Sequence, residues 1–139
     1  MASLKKRIYE KVKYSPHTSF GELSRLKGFK GLWEMSFSKD ENFIIYAGMS
    51  NEAVKAMNEL WLKEHKIEAR ACDIFVYFID GGALNIPLIK RFPKKGYKTP
   101  HWLPMTFSTP DYLKAVEGKK YKERTNYVTP KQSITVSKQ

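Results

Sequence analysis

The residues whose types and spacing best suit chemistry lie between positions 87 and 104. Basic side chains recur there at short intervals around one tyrosine, at Lys90, Arg91, Lys94, Lys95, Tyr97 and Lys98. Cationic groups neutralise the phosphates of a nucleic acid, and rings or guanidinium planes stack on its bases. This composition predicts a nucleic-acid contact. The rings have an alternative role, because large aromatic residues are more often buried than displayed, and we expect Trp102 to lie in the core.

The charge of the whole chain supports an anionic partner. Residues 1–31 hold eight Lys and Arg against two acidic residues, residues 32–80 five against nine, and residues 81–139 twelve against three. A net charge of +11 with such asymmetry indicates a polyanion. Both flanks therefore add predicted contact residues, namely Lys5, Lys6, Arg7, Lys119, Lys120, Lys122 and Arg124. The alternative is that the lysines only keep the surface soluble.

Signatures of catalysis and of metal or cofactor binding are weak. The three histidines and the single cysteine, Cys72, do not have the spacing of zinc ligands, and one cysteine excludes an internal disulfide. Gly28 and Gly31 lack the longer glycine pattern of a phosphate-binding loop. We therefore assign no catalytic residue, no metal ligand and no cofactor.

Three functions remain open on these grounds. The first is a nucleic-acid-binding module, with RNA or single-stranded DNA preferred because no helix resembles a reader of the major groove. The second is an inhibitor or adaptor that docks its basic face on an acidic protein. The third is a small metal-independent ribonuclease, with His101, Lys98 and Arg91 as candidate acid–base groups.

The elements that must position these residues begin with a ββαβ core over about residues 33–79. Residues 33–38 alternate in polarity and residues 43–47 are rich in β-formers, so both predict strands. Ser50 can cap a helix that runs to about residue 66. The unbroken apolar run at residues 74–79 predicts a third strand, covered on both faces. The expected class is α+β with a small mixed or antiparallel sheet.

Helices are also expected on both sides of this core. Leu4, Ile8 and Val12 form one face of a helix at residues 3–13, and Thr109-Pro110 begins another that Gly118 ends. We expect residues 1–118 to form one domain. Residues 119–139 are predicted to form a basic, flexible tail, although either Tyr127-Val128 or Ile134-Thr135-Val136 is also typical of an edge strand.

The chain carries no predicted membrane span, because no run approaches the roughly 20 apolar residues that one requires. Its basic start is not followed by an apolar block, so a secretory signal is not expected. A cytoplasmic location is the expectation, and the oligomeric state is left open.

Overall fold

The computed structural model describes residues 2–37, 40–91 and 93–121, together with the backbone of residues 132–136. The α+β class is confirmed, and strands and helices are interspersed along the chain. The helices are α1 (Leu4–Tyr14), α2 (Phe20–Leu23), α3 (Asn51–Met57), α4 (Phe75–Asp80) and α5 (Pro110–Glu117). The strands are β1 (Thr18–Ser19), β2 (Lys30–Phe37), β3 (Asp40–Met49), β4 (Glu68–Ala71), β5 (His101–Trp102), β6 (Met105–Ser108) and β7 (Gln132–Val136).

These strands form two small sheets. One has the order β1-β6-β4 and is antiparallel, and the other has the order β5-β3-β2-β7. The second sheet is mixed, because β5 lies parallel to β3 while the other pairs are antiparallel. Strand β7 pairs with β2 at the edge and contains Ile134-Thr135-Val136, one of the two segments given as alternatives for an edge strand. The other segment, Tyr127-Val128, lies outside the described residues, and the flexible tail stays a prediction.

The prediction of a strand at residues 74–79 is wrong. That run folds as α4, and the strand that follows α3 is β4, which belongs to the other sheet. The Asp73 carboxylate accepts a hydrogen bond from the amide of Phe75 at 2.9 Å, a local bond that favours a turn. Periodicity alone does not separate a short buried strand from a short helix. Only Tyr77 of this helix is fully buried, whereas Phe75, Phe78 and Ile79 are exposed.

The predicted helices are confirmed, and their apolar faces build the core. Leu4, Ile8 and Val12 of α1 are buried, and the hydroxyl of Ser3 caps the first turn. Ser50 caps α3 as predicted, and the helix continues as a π-helical segment at Asn58–Lys63. Thr109 caps α5. Across the described part of the chain, none of the helices has the length and apolar character to cross a membrane.

Candidate nucleic-acid interface

The predicted contact stretch is a closed loop whose two ends meet on one buried residue. We call residues 90, 91 and 93–98 the basic loop. Trp102, which follows it, is fully buried as predicted, and its indole N–H donates to the carbonyl of Ile45 at 3.2 Å. The backbone of Trp102 donates to Pro87 at 2.9 Å and accepts from Ile89 at 2.8 Å. Both entry and exit of the basic loop are therefore fixed to the core.

The start of strand β3 holds the middle of the loop. The two carboxylate oxygens of Asp40 accept from the amides of Tyr97 (2.9 Å) and Asn42 (3.0 Å). The Asn42 side chain donates to the Tyr97 carbonyl at 2.7 Å. Gly96 lies in the left-handed region at φ +76°, and a Cβ there would approach the Asp40 carboxyl carbon to 2.9 Å. The turn is thus built closely around a single carboxylate.

The five cations of the loop are accessible to solvent. Lys90, Arg91, Lys94, Lys95 and Lys98 are all exposed. Within the described residues none of the five forms an ion pair, since the salt bridges found there involve other side chains. The Asp40 carboxylate is already occupied by two backbone amides. The positive charge of the five cations is therefore available to a ligand.

An open cleft of about 410 Å³ adjoins these cations, and it is lined by Leu88, Lys90, Arg91, Tyr97 and His101. The rings of Tyr97 and His101 stack, with centroids 3.9 Å apart and an angle of 22° between the planes. The Tyr97 hydroxyl donates to the carbonyl of Arg91. A second depression, of about 260 Å³, includes Tyr97 together with Lys94 and Lys95. Cationic groups thus surround a fixed pair of stacked rings.

The predicted contact residues of helix α1 are in a different situation. The ammonium group of Lys5 lies 2.9 Å from a carboxylate oxygen of Glu59 and 2.5 Å from one of Glu64. Glu64 above all, and then Glu59, raise the pKa of Lys5, and Lys5 lowers the pKa of Glu64. Arg7 donates to the carbonyl of Lys27 at 2.9 Å, while Lys6 is exposed. Part of the charge of α1 is therefore already compensated.

Helix α1 also lies near the opposite end of strand β3 from the basic loop. Arg7 contacts Lys27, and the next carbonyl, that of Gly28, accepts from Ser50 at 2.6 Å, just after β3 ends. Asp40, which holds the basic loop, begins the same strand. A strand of this length covers up to about 30 Å. The two basic regions are thus not brought together.

The remaining predicted residues follow α5. Lys119 and Lys120 are exposed in a 3₁₀ turn at Gly118–Lys120. Nearby carboxylates are engaged, since Glu117 binds Arg70 through two bonds of 3.0 Å and Tyr121 donates to Glu68 at 2.6 Å. Lys122 and Arg124 lie outside the described residues. These positions stay predictions.

Sequence reasoning missed Asp40 and Asn42, which lie between the two strands predicted at residues 33–38 and 43–47. The bond from the Asn42 amide to Asp40 is local, and Asp side chains commonly accept such a bond from the backbone amide two residues on. The bonds to Tyr97 join positions 55 and 57 residues apart, and no local pattern indicates them.

Metal binding has no support in the part of the chain that the structure describes, where no three His, Cys, Asp or Glu side chains are grouped to hold an ion. Comparison with known proteins found no matching family model, no significantly similar curated protein and no significantly similar solved structure. The exposed cations and the fixed backbone of the basic loop are therefore the features that indicate a function.

Proposed function

We propose that the protein binds nucleic acid through the phosphate backbone, with RNA or single-stranded DNA preferred, and that the basic loop is the contact. One observation carries the proposal: five exposed cations without an ion-pair partner among the described residues share a loop that is fixed at its ends and its middle. Each phosphate that such a group neutralises releases counterions, and this release drives binding.

The rigidity of the loop favours binding because it reduces the ordering cost. A flexible segment loses conformational entropy when it meets a ligand, and that loss subtracts from the affinity. Here Asp40 and Asn42 hold the turn, and Trp102 holds both ends. The lysine side chains remain to be ordered, but the backbone that carries them is set.

The stacked pair of Tyr97 and His101 favours a single strand over a duplex. Stacking of a base on an aromatic ring contributes about 1–3 kcal/mol and requires a base that is free of its own stack. Both rings line the cleft that Lys90 and Arg91 border. A strand that follows the cations can therefore place a base in the cleft.

The test is a salt series of binding to single-stranded RNA, single-stranded DNA and duplex DNA. The affinity of the wild-type protein should fall linearly on logarithmic axes as salt rises. Changing Lys90, Arg91, Lys94 and Lys95 together to alanine should lower the magnitude of the slope for single strands by about 3, because each phosphate contact contributes about 0.7.

Two controls decide between this proposal and its rivals. Undiminished binding by the fourfold variant would remove the basic loop as the contact site. Poly-glutamate carries negative charge without phosphates or bases, and it should compete far less well than an oligonucleotide of equal charge. Equal competition would favour an acidic protein partner instead.

A further inference from the structure

We propose that the cleft beside the basic loop cleaves single-stranded RNA without a metal ion, with His101 as the general base. This inference rests on the proposed function, since RNA must first bind at the basic loop. It adds a reaction, and it assigns to His101 and its neighbours roles that binding alone does not require.

A hydrogen bond to the backbone carbonyl of Thr99 determines which nitrogen of His101 carries a proton. The Nδ1 atom lies 2.8 Å from the carbonyl oxygen of Thr99. A carbonyl oxygen only accepts hydrogen bonds, so Nδ1 must be the protonated nitrogen that donates. In the neutral ring Nε2 is then left with its lone pair, which is the form that a general base needs.

The ring is also held in place. Tyr97 stacks on it at 3.9 Å, and the Tyr97 hydroxyl is in turn bonded to the carbonyl of Arg91. No hydrogen bond to Nε2 is found among the described residues, so this nitrogen is free to accept a proton from a ligand in the cleft. A base with its tautomer and ring position both fixed loses little entropy when the substrate arrives.

The charges around the cleft match those that develop when an RNA strand is cut. His101 Nε2 removes the proton of a ribose 2′-hydroxyl, whose oxygen attacks the adjacent phosphorus. The guanidinium of Arg91, which lines the same cleft, stabilises the extra negative charge on the phosphoryl oxygens.

The bond from phosphorus to the 5′-oxygen then breaks, and the leaving oxygen takes a proton from the ammonium group of Lys90, a further lining residue. The products are a 2′,3′-cyclic phosphate and a 5′-hydroxyl. His101 ends protonated and Lys90 neutral, and solvent exchange restores both. The reaction requires no oxidant, water molecule or metal, and DNA cannot undergo it because it lacks the 2′-hydroxyl.

The experiment incubates end-labelled single-stranded RNA with the protein in the presence of EDTA and measures product masses. We expect fragments that end in a 2′,3′-cyclic phosphate, each lighter by one water than the corresponding 3′-phosphate. The His101→Asn variant keeps an N–H that can donate to Thr99 but has no basic nitrogen. It should cleave at least about 100-fold more slowly, the usual contribution of a general base.

A matched control and a binding measurement make the result decisive. His17→Asn changes a histidine outside the cleft, at a positive φ of 60° that Asn tolerates, and it should leave cleavage unchanged. His17→Asn should bind 2′-O-methyl RNA, which cannot be cut, as tightly as the wild type does within about threefold. Because His101→Asn also removes one ring of the stacked pair, its affinity for 2′-O-methyl RNA is measured first, and its cleavage rate is then compared with that of the wild type at RNA concentrations that saturate both proteins.

Each other outcome overturns a separate statement. If the wild type binds 2′-O-methyl RNA but leaves ordinary RNA intact, the inferred reaction is wrong and the binding function stands. If His101→Asn cleaves at the wild-type rate, or if EDTA abolishes cleavage, the assignment of His101 in a metal-independent site is wrong. If no single strand binds at all, the proposed function itself is wrong.

Discussion

Helix α1 and the basic loop each contain five lysine or arginine residues, yet their charges have different surroundings. On α1, Lys5 pairs with Glu59 and Glu64, and Lys11 lies 3.2 Å from Glu22. In the loop none of the five cations has an ion-pair partner within the described residues. Equal numbers of basic residues therefore offer unequal charge to a polyanion.

The difference arises from what each segment packs against. An amphipathic helix must bury its apolar face, and α1 buries Leu4, Ile8 and Val12 near α3 and its π-helical continuation. This contact brings its lysines beside Glu59 and Glu64. The basic loop is held instead through backbone bonds, which leave its side chains to solvent. A basic segment thus keeps its charge available when its backbone, and not an amphipathic face, holds it in place.

The largest difference between the basic loop and α1 should appear when charges are reversed and the affinity for single strands is measured. Lys94→Glu with Lys95→Glu changes the net charge by the same amount as Lys6→Glu with Lys13→Glu, and all four side chains are exposed. Because reversal both removes phosphate contacts and adds repulsion, we expect the loop pair to weaken single-strand binding on the order of a hundredfold. The α1 pair should weaken it only a few-fold through its long-range field. Equal losses, measured by fluorescence anisotropy at physiological salt, would contradict the comparison.

Removing the anchor of the loop should have the next largest effect. Asp40→Ala abolishes both bonds from the carboxylate, and Asp40→Asn retains one acceptor oxygen. If positioning matters, the alanine variant binds roughly tenfold more weakly, a loss of about 1.4 kcal/mol, and the asparagine variant is intermediate. If only charge matters, both variants bind more tightly than the wild type, because each removes a negative charge near the lysines. Weaker binding by these variants would therefore support a positioning role for Asp40, and tighter binding would show that only charge matters.

A smaller effect is expected at Gly96. Alanine there has the wrong backbone preference at φ +76°, and its Cβ would press on the Asp40 carboxylate. Gly28→Ala is the matched control, since its φ is +91° and no atom lies within 4 Å of the added carbon. Both changes should cost about 1–2 kcal/mol of folding stability. Only Gly96→Ala should also weaken nucleic-acid binding, by about threefold, and an equal loss in the control would contradict the role of the turn.

The smallest effect concerns α1 and should appear in stability, not in binding. Lys5→Gln removes both ion pairs with Glu59 and Glu64 and should lower the melting temperature slightly near neutral pH. Since Lys5 lowers the pKa of Glu64, the stabilisation from the Lys5–Glu64 pair is present above about pH 4.5 and is lost as pH falls through the lowered value. The melting curves of the two proteins should therefore converge in acid. A difference that persists there would show that the ion pairs are not its source.

Local patterns predicted those parts of the fold that short-range physics controls. The caps Ser50 and Thr109 begin helices where expected because a hydroxyl satisfies first-turn amides within its own segment. The apolar run at residues 74–79 shows the limit, since a helix and a strand both suit six apolar residues. Asp40 shows a further limit, because its bond to Tyr97 depends on two distant segments that meet.

The sequence by itself determined the α+β class, the amphipathic helices and the excess of positive charge on both flanks, since these follow from composition and from the spacing of neighbouring residues. Only the tertiary structure decided which positive charges remain available. Ion pairing falls off over a few ångströms, so it depends on which carboxylates the fold places beside each lysine. That placement compensates Lys5 on α1 and leaves the lysines of the basic loop without a partner among the described residues.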